Sequence, residues 1–366
     1  MRGNKTPSVL VAVGVLATLA GSAGLETSTQ APFTLQPTIA FSSSRDNTAV
    51  VPAAQGLEIY ITDLDGVSNA RRLTANLSTD TFPALAPDGN KLTFDSNRLR
   101  IIPDEQINIT DLWVMNVDGG ELALLHKRAG SSTWDPQGRH IAFHASAGGA
   151  GTPIKGDIGS ALTDSDIFTL NIDDYLAGLS GAVNITNDPD QVDDDPDWSP
   201  DGSRIAFTSH STLDTGQDSE TAEVWTMNPD GTGRTQLTFN NEEERAPSWS
   251  PDGTKILYMC RALWLNSGTD FEICVINADG SNLTALTNNT TPDLTPNWTP
   301  DGSRIVFHRS ISGLNQLHIM NADGTDVQQL TSPPGHNLFA NPGYLRIREA
   351  IAQLLRRPTT RPSNLR

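Results

Sequence analysis

Carboxylates recur at one spacing in this chain. Asp80, Asp193, Glu244 and Asp293 each stand three residues ahead of a proline: Pro83, Pro196, Pro247 and Pro296. Asp188, Asp190, Asp194, Asp195 and Glu243 deepen the charge around them. Oxygens gathered in this way can hold Ca²⁺, a hard cation that takes several oxygen ligands, or attract a basic partner. They can equally form a solvated rim whose side chains cap local turns. No Asp-x-Asp-x-Asp-Gly calcium loop is present. The candidate binding set is Asp80, Asp193, Asp194, Asp195, Glu243, Glu244 and Asp293. The candidate metal ligands are Asp188, Asp190, Asp193 and Asp195, with Ca²⁺ as the cofactor they would suit.

The other reactive side chains are sparser. The histidines are His126, His140, His144, His210, His308, His318 and His336, and none has the His-Glu-x-x-His spacing of a zinc site. His144 and His308 hold equivalent places after an aromatic residue. No Gly-x-Ser-x-Gly nucleophile elbow occurs. Two cysteines, Cys260 and Cys274, fall in consecutive predicted strands, where they can face each other as a disulfide or remain two buried thiols. The formal net charge of −18 argues against nucleic acid, whose phosphates require basic surface.

A repeat must position these residues. Trp198-Ser199-Pro200-Asp201-Gly202-Ser203-Arg204-Ile205 returns as Trp249 to Ile256 and as Trp298 to Ile305, with weaker copies at Leu85 to Phe94 and Trp134 to Phe143. The period is roughly 50 residues, the length of a propeller blade. Proline presets the turn and the glycine accepts a left-handed conformation, so each copy reads as two antiparallel strands joined by a tight turn. A second strand-and-turn phrase follows each copy, as at Glu223 to Gly231, Glu272 to Gly280 and Gln316 to Gly324. In the third copy Asp173-Asp174 replaces Asp-Gly, so a looser turn is expected there. A short strand ending in Leu-Thr completes the unit. The tryptophans stand at equivalent strand positions and are expected to wedge between blades.

The fold class is therefore all-β: a six-bladed β-propeller of four-stranded antiparallel blades. The chain opens on Pro37-Thr38-Ile39-Ala40-Phe41-Ser42, a second strand with no first. It closes near Phe339-Ala340-Asn341-Pro342-Gly343, a degraded first-strand phrase. A C-terminal strand added to the N-terminal blade would close the ring and remove the open edge.

These phrases resemble the TolB-type β-propeller repeat, a relative of the WD-type repeats, over about residues 37–343. The resemblance implies the propeller fold and a periplasmic protein that binds other proteins of the cell envelope. TolB carries an α/β domain ahead of its propeller, and that domain is expected to be absent here. Similar propellers also precede serine peptidase domains, and some related ones are metal-dependent polysaccharide lyases.

Residues 1–23 read as a secretory signal: Arg2 and Lys5, then the apolar run Val9 to Leu19, then small residues at Gly21-Ser22-Ala23. No cysteine follows for lipid attachment, and no later segment is long enough to span a membrane. Residues 24–36 form a short linker. Residues 344–366 form a basic tail in which Ile347, Ile351, Leu354 and Leu355 follow helical spacing. Tight turns fall on one face of the ring, and the long connections 44–56, 96–110, 146–165, 209–222 and 261–270 on the other. Leu263-Trp264-Leu265 lies in the last of these. The function expected is an exported, monomeric, non-catalytic propeller that binds a protein or glycan through its acidic long-loop face. The alternative is a metal-dependent carbohydrate-active enzyme, a lyase or hydrolase, with its site at the channel mouth.

Overall fold

The aspartate of each Ser/Thr-Pro-Asp-Gly phrase organises its own turn. Asp201 Oδ1 accepts from Ser199 Oγ at 2.6 Å and from Ser203 N at 2.9 Å, while Gly202, at φ +72°, donates to Ser199 O. Asp252 and Asp301 repeat the arrangement with Ser250 and Thr254 and with Thr299 and Ser303. These bonds hold the Asp201 carboxyl down at about 2.

The computed structural model describes residues 33–46, 56–64, 70–76, 78–99, 110–146, 165–211, 222–240, 242–261 and 270–348. The leader, most of the linker and long connections, Leu263-Trp264-Leu265 and the tail beyond Arg348 lie outside them. Phe33–Ile347 form one compact unit of six four-stranded sheets. Blade one is β1 (Phe33–Ser43), β2 (Glu58–Asp63) and β3 (Arg71–Arg72), joined by the last strand of the chain. Blade two is β4 (Asp80–Leu85), β5 (Lys91–Ser96), β6 (Asp111–Asn116) and β7 (Ala123–His126). Blade three is β8 (Ala129–Trp134), β9 (His140–Ser146), β10 (Ser165–Asn171) and β11 (Val183–Asn184). Blade four is β12 (Gln191–Trp198), β13 (Ile205–Ser211), β14 (Glu223–Met227) and β15 (Thr235–Gln236). Blade five is β16 (Glu244–Trp249), β17 (Lys255–Cys260), β18 (Glu272–Asn277) and β19 (Thr284–Ala285). Blade six is β20 (Asp293–Trp298), β21 (Arg304–Ile311), β22 (Leu314–Asn321) and β23 (Gln328–Gln329). At Asp173-Asp174 the turn is a short helix, α1 (Ile172–Leu176), whose first turn Asn171 caps by accepting from Asp174 N.

The core is divided among the six seams between blades. Trp198 packs on Ala142 and Ile167 of blade three. Trp249 packs on Ala206, Val224 and Leu237 of blade four, and Trp298 on Leu257, Ile273 and Val275 of blade five. Trp134 also donates Nε1 to Ala84 O of blade two at 3.0 Å. Burying such a ring is worth about 2–3 kcal/mol. A disulfide joins Cys260 on β17 to Cys274 on β18, with Cα atoms 5.8 Å apart.

The ring closes through β24 (Asn337–Arg348), which pairs with β1. Ser44 N donates to His336 O at 3.1 Å, His336 N to Ser44 Oγ at 3.0 Å, and Ser43 Oγ to Asn337 Oδ1 at 2.8 Å. Both strands pass the expected limits: β1 starts at Phe33 and β24 continues to Arg348. Ile347 therefore lies in a strand and not on a tail helix. Gly335 steers the chain into the closing strand at φ +85°. A Cβ there would meet Arg45 N at 2.8 Å and Arg45 Cα at 2.9 Å. Gly335→Ala is expected to cost about 1–3 kcal/mol in denaturant unfolding, and an unchanged midpoint would show that closure does not depend on this passage.

Candidate functional site

Each innermost strand bends at one place. Phe82, Ser131, Asp195, Ala246, Thr295 and Phe339, one per blade, have φ between +46° and +52°. In blades two to six the β ladder slips at the same step. This is a β-bulge, and it re-aims side chains. Proline follows in four of the six, which an innermost edge strand tolerates because no partner needs its missing N–H. The bulges surround a cavity of about 110 Å³ on the propeller axis, lined by these residues and by Ala84, Thr133, Asp197, Asn297 and Asn341 two positions on.

That second tier ties neighbouring blades together. Asp197 accepts from Trp249 N at 2.7 Å and from Thr133 Oγ1 at 2.9 Å. Asn341 accepts from Leu85 N at 2.9 Å, and Asn297 donates to Ala340 O at 3.1 Å. Burial pushes the Asp197 carboxyl up to about 6.

The cavity has two unlike sides. On one, Phe82 stacks on Phe339 with centroids 3.9 Å apart, backed by Leu57 and Leu338. His308 meets Phe339 edge-on and shares a 2.9 Å contact with Thr295 Oγ1; burial drives its imidazole down to about 3. On the other, Asp195 lines the cavity, and next to it Asp194 Oδ1 lies 3.7 Å from His144 Nδ1. Asp195 is raised by burial and by Asp194, against the opposing charges of His144 and Arg245. Arg245 donates Nε to Glu243 at 2.5 Å, and Arg261 Nη2 reaches the same carboxylate at 2.8 Å. Burial lowers His210, which also feels Asp194, Arg245 and Glu243. Behind this group Asp95 is raised well above the usual range by burial, despite accepting from Ser131 N at 3.1 Å. Gly130 leaves the room it occupies, since a Cβ at that position would overlap Asp95 Oδ2.

The acids three residues ahead of the prolines have a different setting. Asp80, Asp193, Glu244 and Asp293 are all at most 1% exposed. Asp80 accepts from Ser96 Oγ at 2.5 Å, Asn76 Nδ2 at 2.8 Å and Arg98 Nη2 at 2.9 Å. Arg309 grips Asp293 through Nε at 2.6 Å and Nη2 at 2.7 Å. Arg234 reaches both oxygens of Asp193 at 2.8 and 3.0 Å. These guanidiniums also lie over strand aromatics: Arg98 over Phe94 and Trp113, Arg234 over Phe207 and Trp225, Arg309 over Phe307. In blade one the equivalent position is Asn337, held by Arg45 Nη2 at 2.8 Å, and in blade three it is Ala129. The recurring acids thus act inside and between blades, while Asp195 lines the axial cavity, Asp194 lies beside it and Glu243 is held by Arg245 and Arg261. Asp188 Oδ1 caps Asp190 N at 3.1 Å. Among the described residues no group of three or more His, Cys, Asp or Glu side chains is arranged to hold a metal. Phe82, Phe339, Ser131, Thr295, His144 and Arg245 join the site without having been singled out for it in the sequence. The bulge preceding each strand-one proline is the signal that could have located four of the blades.

No protein-family profile matches the chain. Dipeptidyl-peptidase 5 of Porphyromonas gingivalis is 41% identical over 61 residues, covering 17% of this chain and 9% of that protein. The uncharacterized peptidase YuxL of Bacillus subtilis is 33% identical over 94 residues, covering 26% of this chain and 13% of that protein. The chain therefore matches only a small part of the length of these curated relatives. The structure of TolB from Acinetobacter baumannii superposes with a TM-score of 0.63 at 19% identity, over 84% of this chain and 66% of TolB. The molecule is a six-bladed β-propeller. Its particular form is the TolB-like one, and that likeness is one of fold.

Two outcomes test this geometry. Ala246→Gly removes a Cβ from a left-handed position and is expected to raise stability by up to about 1 kcal/mol, whereas a regular strand would lose stability on gaining glycine. Asp197 is raised from 3.8 to about 6, so its contribution to stability is complete below the unfolded value and is lost as pH rises through about 6. Side-chain NMR should find its midpoint there. A midpoint near 4 would mean that water reaches the carboxyl freely.

Proposed function

We propose that this chain is an exported binding propeller that takes a protein partner at the axial mouth on its long-loop face. The observation that carries the reading is the two-sided cavity. A stacked Phe82–Phe339 platform and Asp195 line one space shaped by six bulges, and Asp194, His144 and Arg245 gather around Asp195. An apolar anchor beside a charged wall is the arrangement of an interface hot spot, in which the aromatic surface supplies affinity and the charges select the partner. The acid excess, together with a net charge of −18, favours a basic segment. The TolB-like fold supports protein over glycan as partner. Export is supported by the leader-like residues 1–23 and by the Cys260–Cys274 disulfide, which persists in an oxidising compartment.

Asp195→Asn with Arg245→Gln should leave the fold intact and weaken capture of the partner from an envelope extract by roughly tenfold or more. A glycan array with the same two proteins forms the second arm. Equal capture by both proteins, or binding confined to the array, would overturn the reading.

A further inference from the structure

One clasp in the ring lacks its cation. Asp80, Asp193 and Asp293 are each met by a guanidinium, and Asn337 by Arg45. Glu244 stands at the same place on β16 and has none. Across the strands Asp293 pairs with Arg309 itself, whereas Asp80 and Asp193 pair with Ser96 and Ser209 and take their guanidiniums from Arg98 and Arg234. Glu244 pairs with Cys260, a half-cystine bonded to Cys274. The nearby arginines, Arg245 and Arg261, are drawn to Glu243.

A second carboxyl stands beside it, as Glu58 and Glu272 stand beside Asp80 and Asp293 in clasps that keep their arginine. Glu223 on β14 of blade four is bridged to Glu244 by one residue: Asn240 N donates to Glu223 Oε1 at 3.1 Å, and Asn240 Nδ2 to Glu244 Oε1 at 2.7 Å. That leaves Glu223 Oε2 and Glu244 Oε2, both buried and both without a donor. Asn240 thus holds the two carboxyls side by side, and each acts on the other electrostatically. The remaining groups facing them are Thr238, Glu242 and the Tyr258 phenol. None brings a positive charge.

We propose that Glu223 and Glu244 share one buried proton across the seam between blades four and five, in the role that arginine plays in the other clasps, and that this seam is thereby pH-sensitive. With the proton bound, one carboxyl donates to the other carboxylate. Its release to solvent leaves two facing carboxylates with no counter-charge. Burial raises both groups, Glu244 to about 8. The strain falls at the start of β16, next to the Glu243–Arg245 pair, and Arg245 is one of the charges around Asp195.

The sign is definite. Glu244 is raised in the folded chain, so its stabilising effect is complete below the unfolded value of 4.5, declines as pH rises and is exhausted once pH passes about 8. Thermal melts of the full chain and of Glu244→Gln between about pH 5 and pH 9 read this directly. The variant's Tm relative to the parent should climb across that range and level off above pH 8, with or without Ca²⁺. Parallel curves would overturn the proposal. So would recovery of the parent's Tm by Ca²⁺ at high pH, which would make the occupant a metal ion. Infrared difference spectra of the parent supply an independent reading. Asp95, Asp195 and Asp197 contribute to both proteins, so the reading is the parent spectrum minus that of Glu244→Gln: it should hold a protonated-carboxyl band at pH 6 that vanishes through pH 8, and its absence at pH 6 would refute the shared proton.

Discussion

Closure of the ring is the constraint on which everything else rests. Each seam buries apolar side chains from two blades, and no blade has a core of its own. Ile39, Phe41 and Tyr60 of blade one meet Val306, Leu317 and Ile319 of blade six in one such cluster. Had β24 not paired with β1, that cluster would stand open and two sheet edges would be exposed, an invitation to pairing with other chains. The closing contacts are accordingly dense: Ser43, Ser44, Arg45, His336 and Asn337 all bond across the two ends of the chain.

The closed ring also sets where strain and charge can sit. Six non-glycine residues share a left-handed conformation at the axis, each at a cost of order 1–3 kcal/mol. Strain of that kind persists where the surroundings determine it, and here it shapes the cavity wall. Charge is divided by depth. Buried acids at the strand starts are answered by arginines lying over aromatic rings, since a buried carboxylate without a partner is costly. Acids at the mouth face histidines and Arg245 instead. The site therefore differs from the clasps in what surrounds its carboxylates, even where the two sets are adjacent in sequence, as Asp193 and Asp194 are.

Much of the fold was legible because the repeat is written in residues with fixed local meanings. Pro200-Asp201-Gly202 can form only a narrow set of turns, and the five copies of its phrase mark blades two to six, with the opening and closing strands completing the first. The wedge role of Trp198, Trp249 and Trp298 follows from their equivalent positions. The acids were another matter. Three residues ahead of a proline, Asp80 and Asp293 look like a rim, yet Arg98 and Arg309 reach them from the next strand. Whether a carboxylate faces water or a guanidinium depends on a partner some sixteen to eighteen residues away. Glu244, with the same spacing, has no guanidinium of its own, and the nearby Arg245 and Arg261 go to Glu243.

The sequence by itself determined the architecture: strand order, blade number, the tight-turn face and the closing strand. These follow from local periodicity and turn chemistry, which act within a few residues. Only the tertiary structure decided the site. The six bulges, the Phe82–Phe339 stack, the meeting of His144 with Asp194 and the sharing of Asn240 between Glu223 and Glu244 all join residues from different blades or strands. Their geometry is set by how six wedges close around one axis, and no spacing along the chain encodes that distance.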